Sequence, residues 1–385
     1  MKGIDKIMPK KYKPYSRKDI LKIQEVAGLS HELSDAIKIV SAVLPFRVNN
    51  YLINELIDWD NIPSDPIFQL TVPQPGMLEW HDFEKLKSLY RKEVPEKEIL
   101  KTARKIQMKM NPHPAGQMEL NVPVENGTVY RGMQHKYNET VLFFPHQGQT
   151  CHAFCTYCFR WAQFVGLDDL KFAADRADSL IEYLHSHPEV TDLLITGGDP
   201  LIMHTKVLRR YIEPIIRQRP GNLSTIRIGT KVPAYWPYRF VTDKDADDLI
   251  SLFEEVVESG FHLAIMSHFS HPRELETPVA QTAIKRIIST GATIRCQAPL
   301  IKHVNDDPDI WAKMWQIQVK LGAIPYYMFI GRDTGPKSYF KLPLAGAYDI
   351  FSNAYKKVSG LCRTVRGPSM SATPGKIMID GVTEI

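Results

Sequence analysis

Six short apolar runs between residues 140 and 331 constrain the fold of this chain more than any other feature. They are TVLFFPH (140–146), DLLITGG (192–198), TIRIGTKV (225–232), HLAIMSH (262–268), TIRCQAPLI (293–301) and AIPYYMFIG (323–331). Each run is rich in β-branched or aromatic residues, and amphipathic helical stretches lie between them. Strict alternation of strands and helices predicts a parallel sheet that is buried on both faces. We therefore expect an α/β fold, a partial barrel of six β/α units, whose polar groups gather at the carboxyl ends of the strands.

The chain upstream of these runs has a helical pattern. The stretch SHELSDAIKIVSAV has the apolar spacing of a helix, with Ser30 as its N-cap, and two more helices are predicted near 80–91 and 94–110. A length of 385 residues also exceeds that of one ordinary domain. We therefore divide the chain into three parts. They are a helical N-terminal extension (1–130), a partial barrel (131–340) and a short C-terminal segment (341–385).

The composition argues against several classes of protein. Lys and Arg number 48 against 43 Asp and Glu, and the resulting net charge of +5 is too small and too evenly spread to indicate a nucleic-acid partner. No run approaches the roughly 18 apolar residues of a membrane span, and the basic N-terminus lacks the apolar core of a signal peptide. Five cysteines are too few for a disulfide framework. We expect a soluble, cytoplasmic protein with no nucleic-acid or membrane partner.

Three of the five cysteines lie within CHAFCTYCFR (151–160), in the loop after the first predicted strand. Free cysteines are usually scattered and buried as small apolar residues, so this crowding indicates a metal site. Zinc is one candidate, although a structural zinc site takes four ligands and the remaining Cys296 and Cys362 are isolated. Three thiolates with the spacing C-x3-C-x2-C suit a four-iron cluster in which one iron stays open for a small molecule.

The cysteine motif, which has an aromatic residue before its last cysteine, resembles that of the radical S-adenosylmethionine (SAM) superfamily. This resemblance implies a 4Fe-4S cluster on Cys151, Cys155 and Cys158 that reduces SAM. The reduction releases a 5′-deoxyadenosyl radical, which needs the dry interior that a barrel supplies.

The stretch TGGDP (196–200) ends the second predicted strand and resembles the segment of that superfamily that contacts the SAM amino group. Gly197 and Gly198 would allow close backbone approach, and Asp199 or a nearby carbonyl would pair with the ammonium. Three polar residues stand at the ends of the fourth and fifth strands. The resemblance places some of them around SAM, and each is equally compatible with a polar residue of the barrel mouth. They are His268, His271 and Gln297.

A series of segments from about residue 40 onward carries a narrower resemblance. They are LPFRVNNYLINELIDWDNIPSDPIFQLTVPQPGML (44–78), HKYNETVLFF, CFR, RIGTKVPAYWP, SHFSHP, CQAPLIKHVND and PYYMFI. In this order they resemble the lysine 2,3-aminomutase family. The resemblance implies an isomerase that moves an α-amino group to the β-carbon and uses pyridoxal 5′-phosphate (PLP) to carry the migrating nitrogen.

The same resemblance assigns roles to single residues. In SATPGKI, Lys376 stands where the family has its PLP lysine, and a desolvated lysine suits covalent attachment of PLP. In HKY, Lys136 and Tyr137 stand where the family contacts the PLP phosphate, but Thr140 replaces a second basic residue. Arg160 matches the arginine that holds the substrate carboxylate, a task that suits a planar guanidinium.

Two positions bear on the substrate. Lysine-specific members bind the distal ammonium with two aspartates, and here those positions align with Arg332 and Ser369. A buried arginine that faces an ammonium would cost several kcal/mol. This departure predicts a substrate other than lysine, with an acidic, glutamate-like amino acid as one choice. A shift of one residue would present Asp333 instead and would restore a cationic substrate, because neighbouring strand residues point to opposite faces.

Several alternatives remain open. They are a lysine 2,3-aminomutase proper, a related radical SAM enzyme with different chemistry and no PLP, and a zinc-binding module without activity. The family resemblance implies an amino acid substrate and an electron donor such as flavodoxin or ferredoxin as partners. Well-known members carry further C-terminal cysteines for a zinc that links subunits. Those cysteines are absent from this sequence, so a homo-oligomer is left open.

Overall fold

One large sheet organises the chain between residues 133 and 378. The computed structural model describes residues 7–111, 120–166, 172–174, 177–372 and 375–383. The described strands are β1 (Pro14–Ser16), β2 (Arg47–Asn49), β3 (Val124–Glu125), β4 (Thr128–Val129), β5 (Met133–Tyr137), β6 (Thr140–Phe143), β7 (Asp192–Ile195), β8 (Thr225–Thr230), β9 (His262–His268), β10 (Thr293–Leu300), β11 (Ile324–Ile330), β12 (Arg366–Ala372) and β13 (Gly375–Met378). Strands β5 to β13 form the main sheet, and the other four make two small antiparallel pairs.

The main sheet follows the order of the chain, so that each strand lies beside its successor. Strands β6 to β12 are parallel, and the edge strands β5 and β13 pair antiparallel with their neighbours. The six predicted strands correspond to β6 to β11, which confirms the α/β partial barrel. A seventh parallel strand, β12, and both antiparallel edges are additions that the sequence pattern did not reveal.

Helices fill the connections between parallel strands and most of the N-terminal extension. The described helices are α1 (Ile20–Ala27), α2 (His31–Val40), α3 (Pro66–Thr71), α4 (Trp80–Arg91), α5 (Glu96–Met110), α6 (Asp178–Ser186), α7 (Thr205–Gln218), α8 (Val232–Tyr235), α9 (Ala246–Glu258), α10 (Pro278–Ser289), α11 (Pro308–Lys320), α12 (Lys337–Phe340) and α13 (Leu344–Lys356). Ser30 caps α2 as predicted, because its side chain accepts a hydrogen bond from the Leu33 amide at 3.2 Å. Within the described ranges, no helix combines the length and apolar character that a membrane crossing requires.

The two faces of the sheet differ in burial, contrary to the expectation that both are buried. In β8, Ile226 and Ile228 have no exposed surface and belong to the hydrophobic core, whereas Arg227 between them is partly exposed. Strand β10 shows the same alternation around Arg295 and Gln297. The helix side of the sheet is therefore apolar, and its inner side is a polar, solvent-accessible lumen.

The curl of the sheet is evident from charges on distant strands. Lys376 lies on β13, yet the charge of Arg227 on β8 lowers its pKa. Lys376 in turn lowers the pKa of Lys136 on β5, the strand at the opposite edge of the sheet. Charges at the two ends of a flat sheet of this width would be too far apart to interact in this way. The edges therefore approach each other, and the inner side chains face one common space.

Candidate active site

The cysteine loop follows β6 and is held in place by the N-terminal extension. Arg47 on β2 donates from Nη1 to the Thr150 hydroxyl at 2.7 Å and to the Cys151 carbonyl at 2.9 Å. Its own carbonyl accepts from the Phe154 amide at 2.9 Å, and the Leu70 carbonyl accepts from the Thr156 amide at 2.9 Å. The extension therefore fixes the backbone on both sides of the first cysteine. The sequence carries this signal in the segment LPFRVNN, whose role was not recognised from the pattern alone.

The three thiols share one electrostatic environment. Burial is the main cause that raises the pKa of Cys151, Cys155 and Cys158, the last to about 12. Cys155 also raises the pKa of Cys151 and Cys158, and Cys158 raises that of Cys151. Positive charges partly offset this effect, since Arg47 lowers the pKa of Cys151 and Lys231 lowers that of Cys155. Partly buried thiols whose negative charges would repel as thiolates need a cationic group nearby to lose their protons. This donor set suits a bound iron–sulfur cluster.

The spacing of the donors bears on the choice between one metal ion and a cluster. Among the described residues, no three His, Cys, Asp or Glu side chains are grouped closely enough to hold a single ion. Each cysteine of a four-iron cluster binds a different iron, so its ligands stand further apart than those of one zinc ion. Ligation of a cluster by the three cysteines stays a prediction.

The glycines of TGGDP pack against the cysteine loop. A Cβ on Gly198 would lie 2.5 Å from the Thr150 amide nitrogen and 2.6 Å from the Thr150 carbonyl oxygen. A Cβ on Gly197 would meet the side chain of Gln149, and the φ of Gly197 is +149°, which other residues rarely adopt. The two glycines therefore lie close to residues 149 and 150, which come just before Cys151.

Asp199 joins β7 to β8. Its carboxylate accepts from the Leu201 amide at 3.1 Å, the Thr230 hydroxyl at 2.7 Å and the Lys231 amide at 2.7 Å. Burial raises the pKa of Asp199 to about 6, although these donors act to lower it. Three donors therefore hold the carboxylate in place at the end of β7, and the contact of Asp199 or a nearby carbonyl with an ammonium stays a prediction.

The polar residues at the ends of β9 and β10 divide into two groups. Gln297 and His268 are neighbours in the sheet, and their Nε2 atoms lie 2.7 Å apart. Burial, followed by the charge of Lys231, lowers the pKa of His268 to about 3, so this ring is neutral at pH 7. His271 instead accepts from the Arg273 amide at 3.3 Å and caps the turn that follows. The structure therefore brings His268 and Gln297 together and leaves His271 in a capping role.

Two arginines share one aromatic ring in the lumen. The guanidinium carbons of Arg160 and Arg332 lie 5.1 and 4.4 Å from the centre of the Phe159 ring. Burial lowers the pKa of Arg160 to about 10, and the charge of Arg332 contributes to this. Asp333, by contrast, pairs with Lys337 on the surface. Arg332, although partly exposed, thus lies against Phe159, whereas Asp333 pairs with Lys337. The choice of substrate stays a prediction.

Lys376 enters the lumen from β13. Its Nζ lies 3.9 Å from the centre of the Tyr327 ring. Partial burial is the main cause that lowers the pKa of Lys376, and the guanidinium groups of Arg227, Arg366 and Arg332 add to it. A lowered pKa increases the fraction of neutral amine, which is the nucleophilic form.

Lys136 lies across the gap between the sheet edges. Partial burial, Arg332 and Lys376 together lower its pKa, so at least three cations share this end of the lumen. Tyr137 is exposed, and its ring centre lies 5.6 Å from the Lys136 Nζ. Thr140 donates to Asp192 at 3.1 Å, and Asp192 also pairs with Arg227. Thr140, which replaces the family's second basic residue, is therefore linked through Asp192 to Arg227 of another strand.

Ser369 is a buried polar residue beside the site. It lies on β12 next to Phe329 of β11 and has no exposed surface. Among the described residues, its hydroxyl has no hydrogen-bond partner. A buried hydroxyl without a partner is uncommon and costs roughly 1–3 kcal/mol. Lysine-specific members have a negatively charged aspartate at this position. Ser369 is uncharged, so the site lacks that negative charge here.

Several polar residues of the site escaped the sequence analysis. They are Arg47, Asp192, Arg227, Lys231, Tyr235, Glu274 and Arg366. The available signal was the alternation of charged and apolar residues within TIRIGT and TIRCQ. Such alternation indicates a strand with one polar face rather than one buried on both sides.

Comparison with known proteins reveals relatives along most of the chain. A protein from Aquifex aeolicus, provisionally named L-lysine 2,3-aminomutase, is 30% identical over 368 residues, which is 95% of this chain and 86% of that protein. The L-lysine 2,3-aminomutase of Acetoanaerobium sticklandii is 28% identical over 232 residues, or 60% of this chain and 52% of the relative. That of Bacillus subtilis is 25% identical over 338 residues, or 88% of this chain and 61% of the relative.

Solved structures give weaker likenesses, and no family model matches the sequence. A radical SAM methyltransferase from Sphaerobacter thermophilus is 13% identical with a TM-score of 0.42, and the match covers 62% of this chain and 68% of that one. The SuiB protein of Streptococcus suis bound to S-adenosylmethionine is 13% identical with a TM-score of 0.39, over 70% and 56% of the two chains. Both likenesses are too weak to bear on the site.

Proposed function

Since this chain belongs to the lysine 2,3-aminomutase family of radical SAM enzymes, we propose that it moves the α-amino group of an acidic amino acid to the neighbouring β-carbon. The observation that carries the proposal is the cationic lumen, in which Arg160 and Arg332 contact one aromatic ring while Lys136 and Lys376 lie nearby. The proposal has three parts, which concern the cluster, the PLP group and the substrate.

The family implies a 4Fe-4S cluster and SAM, and three cysteines would hold the cluster. Cys151, Cys155 and Cys158 lie on a loop whose start contacts both Arg47 and Gly198. The bound cluster and SAM supply the one-electron chemistry that removes a hydrogen atom from the substrate. The protein contributes a loop that the N-terminal extension holds in place by hydrogen bonds. No general acid or base is required of the side chains for hydrogen-atom transfer.

The lumen also suits PLP, which supplies a conjugated system to carry the migrating nitrogen. Lys376 would hold the cofactor covalently, and the stacked rings of Tyr327 and Phe329, 4.9 Å apart, offer a flat surface beside its amine. Lys136 would neutralise part of the phosphate charge. Arg227 can supply charge near the position of Thr140, although its pairing with Asp192 offsets part of that charge.

The charge balance of the lumen supports a substrate with two carboxylates. Arg160 and Arg332 repel each other, and a second ammonium on the substrate would add to this repulsion. A dicarboxylic amino acid would instead place its α-carboxylate on Arg160 and its distal carboxylate on Arg332. Charge-assisted pairs of this kind are among the stronger hydrogen bonds in proteins. Ser369 offers no negative charge to oppose such binding.

L-Lysine is the second candidate substrate, because the relatives are named for it. The two candidates differ in what Arg332 must do. With lysine, Arg332 would have to move away from the distal ammonium, whereas with a dicarboxylate it would bind as it stands.

A substrate panel tests the proposal. Anaerobically reconstituted enzyme would be incubated with SAM, PLP, a reductant and, in separate reactions, glutamate, aspartate or lysine, and the β-amino isomers would be measured. We expect a β-isomer of a dicarboxylic amino acid and at most a trace of β-lysine. Efficient formation of β-lysine would refute the acidic substrate without affecting the family assignment.

A labelling experiment tests the role of PLP separately. Borohydride should fix PLP covalently to the wild-type chain and to a Lys302→Ala control, which alters an exposed lysine elsewhere. The Lys376→Ala variant should lose the label. If reconstituted wild-type protein takes up iron and cleaves SAM but binds no PLP, the aminomutase proposal fails and a PLP-independent radical SAM reaction takes its place.

A further inference from the structure

The sulfur of Cys155 lies in a buried polar pocket that two tyrosines and a lysine build around it. The Tyr235 hydroxyl oxygen is 3.1 Å from Cys155 Sγ. The Tyr157 side chain lies beside the same sulfur, and its hydroxyl is 3.3 Å from the Ser270 hydroxyl. By contrast, Arg47 donates to the carbonyl oxygen of Cys151 rather than to its sulfur. Cys155 therefore has an environment of its own within the loop.

Tyr235 is held rigidly in this pocket. It ends the short helix α8 and is only 2% exposed. Its carbonyl accepts from Asn49 Nδ2 at 2.9 Å, which ties it to the strand that also holds the cysteine loop. The Lys231 ammonium lies 4.6 Å from the centre of the Tyr235 ring. The hydroxyl therefore has a fixed direction toward the sulfur.

Lys231 belongs to a buried ion pair. Its Nζ lies 2.8 Å from Glu274 Oε1, and the side chain of Glu274 has no exposed surface. The other carboxylate oxygen of Glu274 accepts from the amides of Ser270, at 2.5 Å, and His271, at 3.1 Å. These hydrogen bonds keep the carboxylate in place, so the ammonium is confined near Cys155.

These contacts have a definite consequence once a cluster is bound. A cysteine that ligates iron has lost its proton and can only accept hydrogen bonds, so the Tyr235 hydroxyl must donate to it. Reduction adds one electron to the cluster and no proton, which increases the negative charge on the ligand sulfurs. Donors and cations next to those sulfurs stabilise the reduced form and raise the reduction potential.

We propose that Tyr235, supported by Tyr157 and the Lys231–Glu274 pair, raises the reduction potential of the cluster through its hydrogen bond to Cys155. Tyr235 is in this sense a positioning residue, since it acts through a ligand and touches no substrate. The inference rests on the cluster of the proposed function but not on PLP or on the substrate.

A redox titration of the Tyr235→Phe variant tests this inference. The cluster would be reconstituted anaerobically without substrate or PLP, and the reduced form would be measured by electron paramagnetic resonance at set potentials. We expect the ratio of reduced to oxidised cluster at a given potential to fall by about tenfold, the scale of one hydrogen bond to a charged group. Iron and sulfide content should match wild type.

Matched variants distinguish a specific effect on the reduction potential from a general disturbance of the protein. Tyr51→Phe removes another fully buried hydroxyl, which lies 2.8 Å from the Thr277 hydroxyl, and should leave the ratio unchanged. Tyr157→Phe should lower the ratio, and so should the double variant Lys231→Met, Glu274→Gln, which removes the ion pair without leaving a lone buried charge. If Tyr235→Phe fails to retain iron, the Tyr157→Phe variant and the double variant still test the inference.

The outcomes are distinct. A wild-type ratio in an iron-replete Tyr235→Phe variant, or in the two supporting variants, would overturn the inference. A wild-type protein that takes up neither iron nor sulfide would overturn the cluster itself, and both proposals would fall. A shifted ratio together with a failed substrate panel would retain the inference and refute only the aminomutase assignment.

Discussion

Gly198 is the position where a single methyl group should disturb the site most directly. A Cβ there would lie 2.5 Å from the amide nitrogen and 2.6 Å from the carbonyl oxygen of Thr150, whereas ordinary contacts begin at 3.4 Å. The obstacle is backbone rather than the end of a flexible side chain. The Gly198→Ala variant must therefore push the loop before Cys151 away by roughly 1 Å. Arg47 also bonds to this loop at the Thr150 hydroxyl and the Cys151 carbonyl, so a shift of the loop would disturb these hydrogen bonds.

The expected effect has two measurable parts. Overpacking of this kind lowers the free energy of unfolding by about 1–3 kcal/mol, and contact with backbone on a tethered loop favours the upper end. Urea unfolding of the metal-free protein measures this. A displacement of roughly 1 Å at a reacting centre lowers rates by about 100-fold. The yield of 5′-deoxyadenosine from SAM under reductant, normalised to bound iron, measures that loss.

The Gly346→Ala variant is the matched control. Gly346 lies in α13, and a Cβ there would have no atom within 4 Å, so the substitution should be neutral or slightly stabilising. A Gly198→Ala protein with the iron content, unfolding midpoint and SAM cleavage of wild type would refute the reasoning. It would mean that the end of β7 does not pack against the cysteine loop in solution.

Three further predictions concern other parts of the molecule. Arg332→Gln should lower kcat/KM for a dicarboxylic substrate by about 10- to 100-fold, because it removes one charge-assisted pair in a partly solvated lumen. A steady-state assay of β-isomer formation measures this loss. Arg239→Met should lower the free energy of unfolding by about 3–5 kcal/mol, because Asp245 then loses the buried guanidinium that lies 2.9 Å from its carboxylate. Urea unfolding measures this change. Burial lowers the pKa of both His268 and His271 to about 3. Since the unfolded chain protonates these rings near pH 6.5, stability should be complete above that pH and fall below it by about 1.4 kcal/mol per histidine and pH unit, which urea midpoints between about pH 7 and about pH 5 should show.

The sequence was a good guide where the local pattern was strong. The run at 225–232 became β8 (Thr225–Thr230), and the run at 262–268 became β9 with the same bounds. Apolar, β-branched residues bounded by turn residues specify such strands without reference to distant parts of the chain. The cysteine motif was equally clear, because its meaning depends on spacing within one loop.

The strands at the ends of the sheet were not predictable in the same way. β12 contains Gly367 and Pro368, and β5 reads MQHKY, so neither shows the pattern of a buried strand. Each becomes a strand because a neighbour offers its hydrogen-bonding edge, as β11 does for β12. Pairing of this kind is a property of the assembled sheet and leaves little trace in local sequence.

The chain's own sequence determined that three thiols share one loop and that strands and helices alternate behind it. The tertiary structure decided which side chains meet. Only the curl of the sheet brings Lys136 and Lys376 from opposite edges toward Arg332, and only the chain after β11 places Arg332 against the Phe159 ring. The physical reason is that spacing along the chain sets local geometry. The charge that a substrate encounters depends instead on residues far apart in sequence, because their electric fields add up where the fold brings them together.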